Sequence, residues 1–330
     1  MEHIISQFTF TYSFVLLTFN QAATVREAVL GALAQNCIPL EIIISDDCSS
    51  DLTFDLIQET VDSYEGPHRV ILNKNERNLG LAGHIDRIHD LSHGDVIIVA
   101  AGDDISLPQR CARIIETFET KQPLLVCSLA NEIDLSGQSI STKYRTATLY
   151  NSLDLSDVAG SRSLYLGATG AWRRSLYQKY GAIDSGAYED LVMGFRAALE
   201  GKIAVIDEAL VIYRVGGGLS SSDLISFDVN DLYAAQIRQL SAWKAVLRQR
   251  IKDAQTFGLA PSSSIWAILK NAKTRANLNW AYYHNDTGSF LKQAFRNPIL
   301  AFRTVRTERR RKRKVVNKLR TSVKNSIRPK

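Results

Sequence analysis

Residues 95–108 read DVIIVAAGDDISLP: an apolar run from Val96 to Ala101, a glycine, two adjacent carboxylates at Asp103 and Asp104, and a proline at 108. A β-branched run bounded by turn formers reads as a buried strand. Two like charges at its exit repel each other, and a fold tolerates them cheaply only where they face water, cap a helix or bind a cation. A surface turn leading into a helix near Pro108 would meet the first condition. What surrounds the stretch decides between these readings.

Upstream, one unit repeats three times. The strand Tyr12 to Thr18 leaves through Phe19-Asn20, and a helix follows from Thr24, where Thr24 and Glu27 match a capping box. Leu40 to Ser45 is a second strand, followed by Asp46-Asp47-Cys48-Ser49-Ser50-Asp51 and a helix to about Val61. His68 to Leu72 is a third, followed by a polar loop and a helix over 82–92. Strands alternating with helices give a mainly parallel sheet with helices on both faces, and such sheets bind ligands at the carboxyl ends of their strands. Here those ends carry Asn20, Asp46-Asp47 and Asp103-Asp104, which should line one edge and form a site.

Past Pro123 comes another strand, Leu124 to Ser128, and then a polar, poorly periodic excursion over 131–165. Glu189-Asp190 opens a helix running to Glu200, where acids also suit the helix dipole. Two short strands, Ile203 to Ile206 and Ala209 to Tyr213, lead into the hinge-like loop Arg214 to Ser220. From about Phe227 the pattern is helical, with aromatic residues at packing intervals.

At 330 residues and 45% apolar the chain has ample core for a folded protein of one or two domains. The first ten residues lack a basic leader pattern, and no apolar run approaches the roughly 18 residues that span a bilayer, so a cytoplasmic location is expected. The four cysteines have no C-x-x-C spacing and are expected as buried free thiols, not a zinc site. The charge is split: residues 296–330 hold fourteen Lys or Arg and one acid, a net of +13, leaving the first 295 residues at about −7. A basic tail on an acidic body suggests that the tail meets something anionic.

The chemistry follows from the residue types. One or two carboxylates together with phosphate oxygens and water satisfy Mg²⁺ or Mn²⁺, and Asp103-Asp104 supply them. A carboxylate one strand away can accept from a base N–H or a ribose hydroxyl. Neither G-x-G-x-x-G nor a P-loop occurs, so phosphate neutralisation falls to a metal. Asp190 or Glu189 could deprotonate an acceptor hydroxyl if the fold brings that helix start to the metal edge. His89 and His93, one helical turn apart, are a candidate metal pair, with a helix cap as the alternative for His93.

In this order the motifs resemble the family 2 inverting glycosyltransferases of the GT-A fold. The matching elements are Thr18-Phe19-Asn20, Ile44 to Asp51, Asn75 to Leu81, Gly102-Asp103-Asp104 and Glu189-Asp190. The resemblance implies an α/β, Rossmann-like GT-A domain over 1–225, which leaves a C-terminal helical region (226–302) and a basic tail (303–330). It implies that Asp47 holds the nucleotide base, with Thr18, Phe19 and Asn20 along the nucleoside. Asp104 would bind Mn²⁺ or Mg²⁺, Asp103 would lie beside it on the ribose or sugar, and Asp190 would be the catalytic base. Arg77 and Gly80 lie in a segment that approaches the donor, and Arg214 with Gly216 to Ser220 resembles a loop that closes over the diphosphate. His84 stands where such proteins more often carry Asn, and Cys48 where Gly or Asn is commoner. The metal motif is Gly-Asp-Asp, not an Asp-x-Asp spaced by one residue, so one metal contact instead of two is expected.

The expected reaction moves a sugar from a nucleoside-diphosphate sugar, by preference a UDP-sugar, to a hydroxyl of a glycan or lipid-linked acceptor in cell-surface polysaccharide synthesis. A nucleotidyltransferase shares the sheet and the aspartates but would want a Gly-rich phosphate loop after the first strand, and Phe19-Asn20-Gln21-Ala22 supplies none. A nucleic-acid-binding protein would interleave aromatics with its basic cluster, and this chain does not, so no nucleic acid is expected. Residues 303–330 are instead expected to meet an anionic membrane surface, with the enzyme peripheral on the cytoplasmic face.

Overall fold

The alternation of side chains in the first strand sets the architecture. In the computed structural model, which describes residues 9–216 and 229–326, β1 (Tyr12–Thr18) is buried along its whole length. Phe14 and Leu16 point to one face and Val15 and Leu17 to the other, as the two-residue period of a strand requires. A strand buried on both faces belongs at the centre of a layered sheet. β1 pairs in parallel with β2 (Glu41–Asp46) on one side and β4 (Val96–Ala101) on the other, and β3 (Arg69–Lys74) pairs in parallel with β2.

The rest of the sheet mixes directions. Beyond β4 the order is β8 (Ala171–Arg173), β6 (Leu125–Ile133), β9 (Ile203–Arg214) and β5 (Ile105–Ser106), with β7 (Ser139–Ser141) paired to β6. β8 is antiparallel to both its neighbours, and β6 and β9 are parallel. The two short strands expected over 203–213 are one strand: register shifts around Leu129 in β6 absorb the polar Asp207-Glu208 step, and pairing continues to Arg214.

Helices cover both faces. α1 (Val25–Leu33), α2 (Thr53–Asp62) and α4 (Arg110–Lys121) bury Val29, Ile57 and Phe118 against Phe14, Ile42 and Ile98. On the other face α3 (Gly80–Leu91) and α7 (Glu189–Leu199) pack Ile85 and Phe195 against Val15, Ile43 and Trp172. Between them in sequence lie α5 (Leu155–Gly160) and α6 (Arg174–Tyr180). The C-terminal helices are α8 (Val229–Phe257), α9 (Ser264–Tyr283), α10 (Thr287–Arg296) and α11 (Pro298–Ser326). Trp243, Val246, Ile265 and Leu269 of α8 and α9 join the α7 core, so apolar packing continues from the sheet into this region.

Two further expectations change. The capping box at α1 does not form: Thr24 Oγ1 donates to Gly102 O at 2.9 Å, and Glu27 pairs with Arg214 at 2.6 Å. Both side chains are drawn to tertiary partners at the strand edge. The histidine pair also separates. Buried His89 stacks on Tyr177 at 3.6 Å and receives Trp172 Nε1, whereas exposed His93 pairs with Glu41. The four cysteines are free thiols, as expected, but only Cys111 and Cys127 are buried; Cys37 and Cys48 are partly exposed.

Candidate active site

The carboxyl ends of β1, β2 and β4 open on a cleft of about 550 Å³, closed on the opposite side by Ser163 to Ala168 and the start of α7. Of the expected site residues, Thr18, Phe19, Asp47, Gly80, Asp103, Asp104 and Asp190 line it. Asn20 and Arg214 stand behind it, and Arg77 is not among the lining residues. Asn20, in the left-handed region at φ 51°, ties two strand exits together: its N–H donates to Ser49 Oγ, and its Oδ1 accepts from Ser50 N. Arg77 is exposed. Gly217 to Ser220 of the expected loop lie outside the described residues.

Asp47 is anchored by the helix that follows it in space. Its carboxylate accepts from Leu79 N, Gly80 N and Asn75 Nδ2, each at 2.9 Å, so it occupies the N-terminal end of α3, where free N–H groups and the helix dipole favour an anion. The neighbouring Asp46 faces inward, accepting from Ser49 N, Ser49 Oγ and Thr18 Oγ1. Beneath them His84 shares a 2.7 Å contact with Ser45 Oγ, which also accepts from Asn73 Nδ2. The Ser45 hydroxyl therefore has its proton free for the His84 ring. Burial holds the His84 pKa down, against the opposing pull of Asp47 and Asp46. Cys48 takes φ 62°, the left-handed conformation that Gly and Asn enter readily.

Asp103 and Asp104 are both buried. Gln21 Nε2 donates to Asp103 Oδ1 at 3.0 Å, and the Arg214 backbone N–H donates to Asp104 Oδ1 at 2.8 Å. The Arg214 side chain lies behind the pair, with Nε on Asp103 O and the far end on Glu27. Arg110, fully buried, reaches Val99 O and Ser106 Oγ below the strand end. Burial raises both carboxyl pKa values, and the Asp103 charge raises Asp104 further. Two hard oxygen donors, adjacent in the chain and lining a cleft, whose burial the Arg214 and Arg110 charges offset only in part, fit a Mg²⁺- or Mn²⁺-sized cation. No cluster of three or more His, Cys, Asp or Glu occurs among the described residues, so the remaining ligands would have to come from substrate and water.

The second acidic pair lies on the opposite wall. Glu189 is buried, with Gly167 so close that a Cβ there would stand 2.4 Å from Glu189 Oε1. Asp190 is partly exposed to the cleft and accepts from Leu191 N at 2.7 Å. Burial pushes both acids up, Glu189 to about 8 with the Asp190 charge adding to the effect, and Asp190 to about 6 with Arg250 opposing. The two environments push the values apart, so near neutrality the proton stays with Glu189 and Asp190 carries the charge.

Sequence reading passed over several lining residues. Gln21 stands one residue beyond the β1 exit and fixes Asp103. Tyr165 and Tyr213 line the cleft from the excursion and from β9. The Tyr165 hydroxyl is buried without a hydrogen-bond partner, and the Tyr213 pKa is pushed up to about 12 by burial and by Asp104 and Asp103. Nothing in local sequence separates these tyrosines from packing residues.

Residues 13–181 match the family described as Glycosyl transferase family 2. An uncharacterized glycosyltransferase of Nostoc sp. is 27% identical over 212 residues, 62% of this chain and 65% of that protein. The succinoglycan biosynthesis protein ExoO of Rhizobium meliloti is 30% identical over 128 residues, 39% of this chain and 35% of that protein. The chain thus spans less than two thirds of the length of these relatives. Among solved structures, the mannosyltransferase PcManGT of Pyrobaculum calidifontis, in complex with GDP-Man and Mn²⁺, superposes with a TM-score of 0.57 at 14% identity, covering 87% of this chain and 76% of that one. At that identity the likeness concerns the fold, a mixed α/β sheet of GT-A type.

Proposed function

The chain belongs to glycosyl transferase family 2, and from that premise we propose that it transfers a sugar, with inversion, from a nucleoside-diphosphate sugar to a hydroxyl of a glycan or lipid-linked acceptor in cell-surface polysaccharide synthesis. The observation that carries the reading is the pair of acidic sites facing each other across one cleft, Asp103-Asp104 on the sheet and Glu189-Asp190 at the start of α7. A donor laid along the strand ends would then have its diphosphate at the first pair and its anomeric carbon turned toward the second.

In this proposal Thr18, Phe19, Asp47 and Gly80 border the nucleoside, and Asp103 the ribose or sugar. Arg77 flanks the donor entry, Asn20 fixes the nucleoside wall, and Arg214 braces the diphosphate wall by its backbone bond to Asp104. Asp104 would hold Mn²⁺ or Mg²⁺, which when bound neutralises the charge of the departing nucleoside diphosphate. Asp190 takes the acceptor's hydroxyl proton as the hydroxyl attacks, and neutral Glu189 beside it spares Asp190 an adjacent like charge. No helix among the described residues is long and apolar enough to cross a membrane. The membrane-facing role proposed for the basic tail therefore rests on surface attraction.

The test is a screen of uridine and guanosine diphosphate sugars for thermal stabilisation in Mn²⁺, with Asp104→Ala beside the wild type. At least one donor should raise Tm by several degrees in the wild type and much less in the variant. Equal stabilisation of both proteins by every donor would remove Asp104 from the metal site.

A further inference from the structure

A second concavity, a groove of about 640 Å³, lies between α5, α8, α9 and the α10–α11 junction. Its polar lining is one-signed: Arg162, Arg275 and Arg303 with Asn271 and Asn279, over a floor that includes Trp243. Among the described residues no carboxylate pairs with these three arginines, and Arg162 instead stands over the Trp243 ring at 5.1 Å. Arg162 also lines the cleft that holds Asp190, so the two concavities meet at its side chain.

The other end of the groove is different in kind. Ile299 lines it and is 70% exposed, and beside it in sequence Leu291, Phe295 and Phe302 are exposed as well, Phe295 to 91%. Lys292, Arg296, Arg303 and Arg306 are exposed among them. Between residues 287 and 313 the one acid is Glu308, buried and engaged by Tyr283 and Arg311. Apolar side chains in a cationic surround suit the boundary of an anionic lipid layer. A second copy of the chain fits them poorly, because it would bring the same unpaired cations face to face.

We infer that this groove seats the acceptor: an amphiphile whose phosphate or diphosphate head lies among Arg162, Arg275 and Arg303 and whose hydrocarbon tail leaves over Ile299. The inference rests on the glycosyl-transfer reading, and it narrows the acceptor class within it. Guanidinium groups with amide donors beside them match phosphate oxygens. A sugar carried on such a head extends past Arg162 toward Asp190, while the tail remains beside Phe295 and Phe302 at a lipid surface.

The test titrates the full chain, without metal, with farnesyl diphosphate, pyrophosphate and farnesol, and repeats the titrations with the exposed pair Arg275→Ser and Arg303→Ser. Farnesyl diphosphate should saturate one site, and head or tail alone should bind at least about tenfold more weakly. The double variant should lose about tenfold or more in affinity for farnesyl diphosphate, while its Tm and its response to nucleotide sugars stay as in the wild type. Pyrophosphate binding as tightly as farnesyl diphosphate, or unchanged affinity in the double variant, would overturn the inference. So would retention on phosphatidylglycerol vesicles without any farnesyl diphosphate site. If no nucleotide sugar stabilises the wild type but farnesyl diphosphate still follows the expected pattern, the donor reading fails and the groove stands.

Discussion

Gly102 leaves no space for a side chain: a Cβ there would stand 2.4 Å from Gln21 Oε1 and 2.8 Å from a Thr18 methyl. Gln21 can swing away, but Thr18 is buried and β-branched with its hydroxyl held by Asp46, so Gly102→Ala should cost about 1–3 kcal/mol, the overpacking adding to the lost bond to Asp103. Nucleotide binding, which depends on where Asp103 stands, should weaken more than stability does, as a denaturation series run beside a nucleotide titration would reveal. The aspartates also carry a pH signature. Burial raises the Asp103 and Asp104 pKa values, so their contribution to stability is present at low pH and is lost as pH rises and they ionise in the folded chain. A cation restores that loss only where the carboxylates are charged. Added Mn²⁺ should therefore raise Tm more at pH 8 than at pH 5; an equal rise at both would contradict the assignment. The acidic exits of DVIIVAAGDDISLP were legible in sequence because a strand pattern running into paired charges has few inexpensive explanations. Tyr165 and Gln21 were not, since only tertiary placement distinguishes them from packing and turn residues.

Among the elements, α8 does the most that its sequence conceals. Arg250, fully buried, donates to Val158 O, Ala159 O, Ser161 O and Leu191 O, joining α8 to α5 and to the first turn of α7 beside Asp190. Four residues earlier and three residues later the same helix places Val246 in the core and pairs Asp253 with the buried Arg196 at 2.9 Å. Arg250→Met should destabilise the fold by about 3–5 kcal/mol, because carbonyls satisfied by one cation lose it together. In whatever fraction remains folded, the pH–rate profile should move to higher pH, since the Arg250 charge helps keep Asp190 ionised. An unshifted profile would mean that Arg250 acts on packing alone. In sequence, Arg250 is one arginine in a polar helical run, and burial is not written in residue type. The same limit explains α1, where Thr24 and Glu27 form a capping pattern that tertiary partners at Gly102 and Arg214 override. It explains β8 too: three residues are too few to show a period, yet they reverse the direction of the sheet between β4 and β6.

At the scale of the molecule, strand–helix alternation over the first hundred residues was enough to anticipate the parallel half of the sheet. The long-range return of β6, β8 and β9 that walls the cleft has no comparable periodic signal. Charge is split in the same uneven way: a body of about −7 carries a C-terminal stretch of +13. If that stretch seats the protein on anionic lipid, removing residues 312–330, which hold eight of its basic residues, should cut sedimentation with phosphatidylglycerol vesicles severalfold at low salt and erase most of its salt dependence. Unchanged sedimentation would assign the attraction elsewhere. The central claim is that the two walls of one cleft divide the work, metal and diphosphate on the sheet and the base on α7. The most direct measurement is turnover of the best-binding nucleotide sugar by Asp190→Asn in Mn²⁺. Donor affinity should stay near that of the wild type while turnover falls by about 10²–10⁴-fold. Wild-type turnover in that variant would contradict the account.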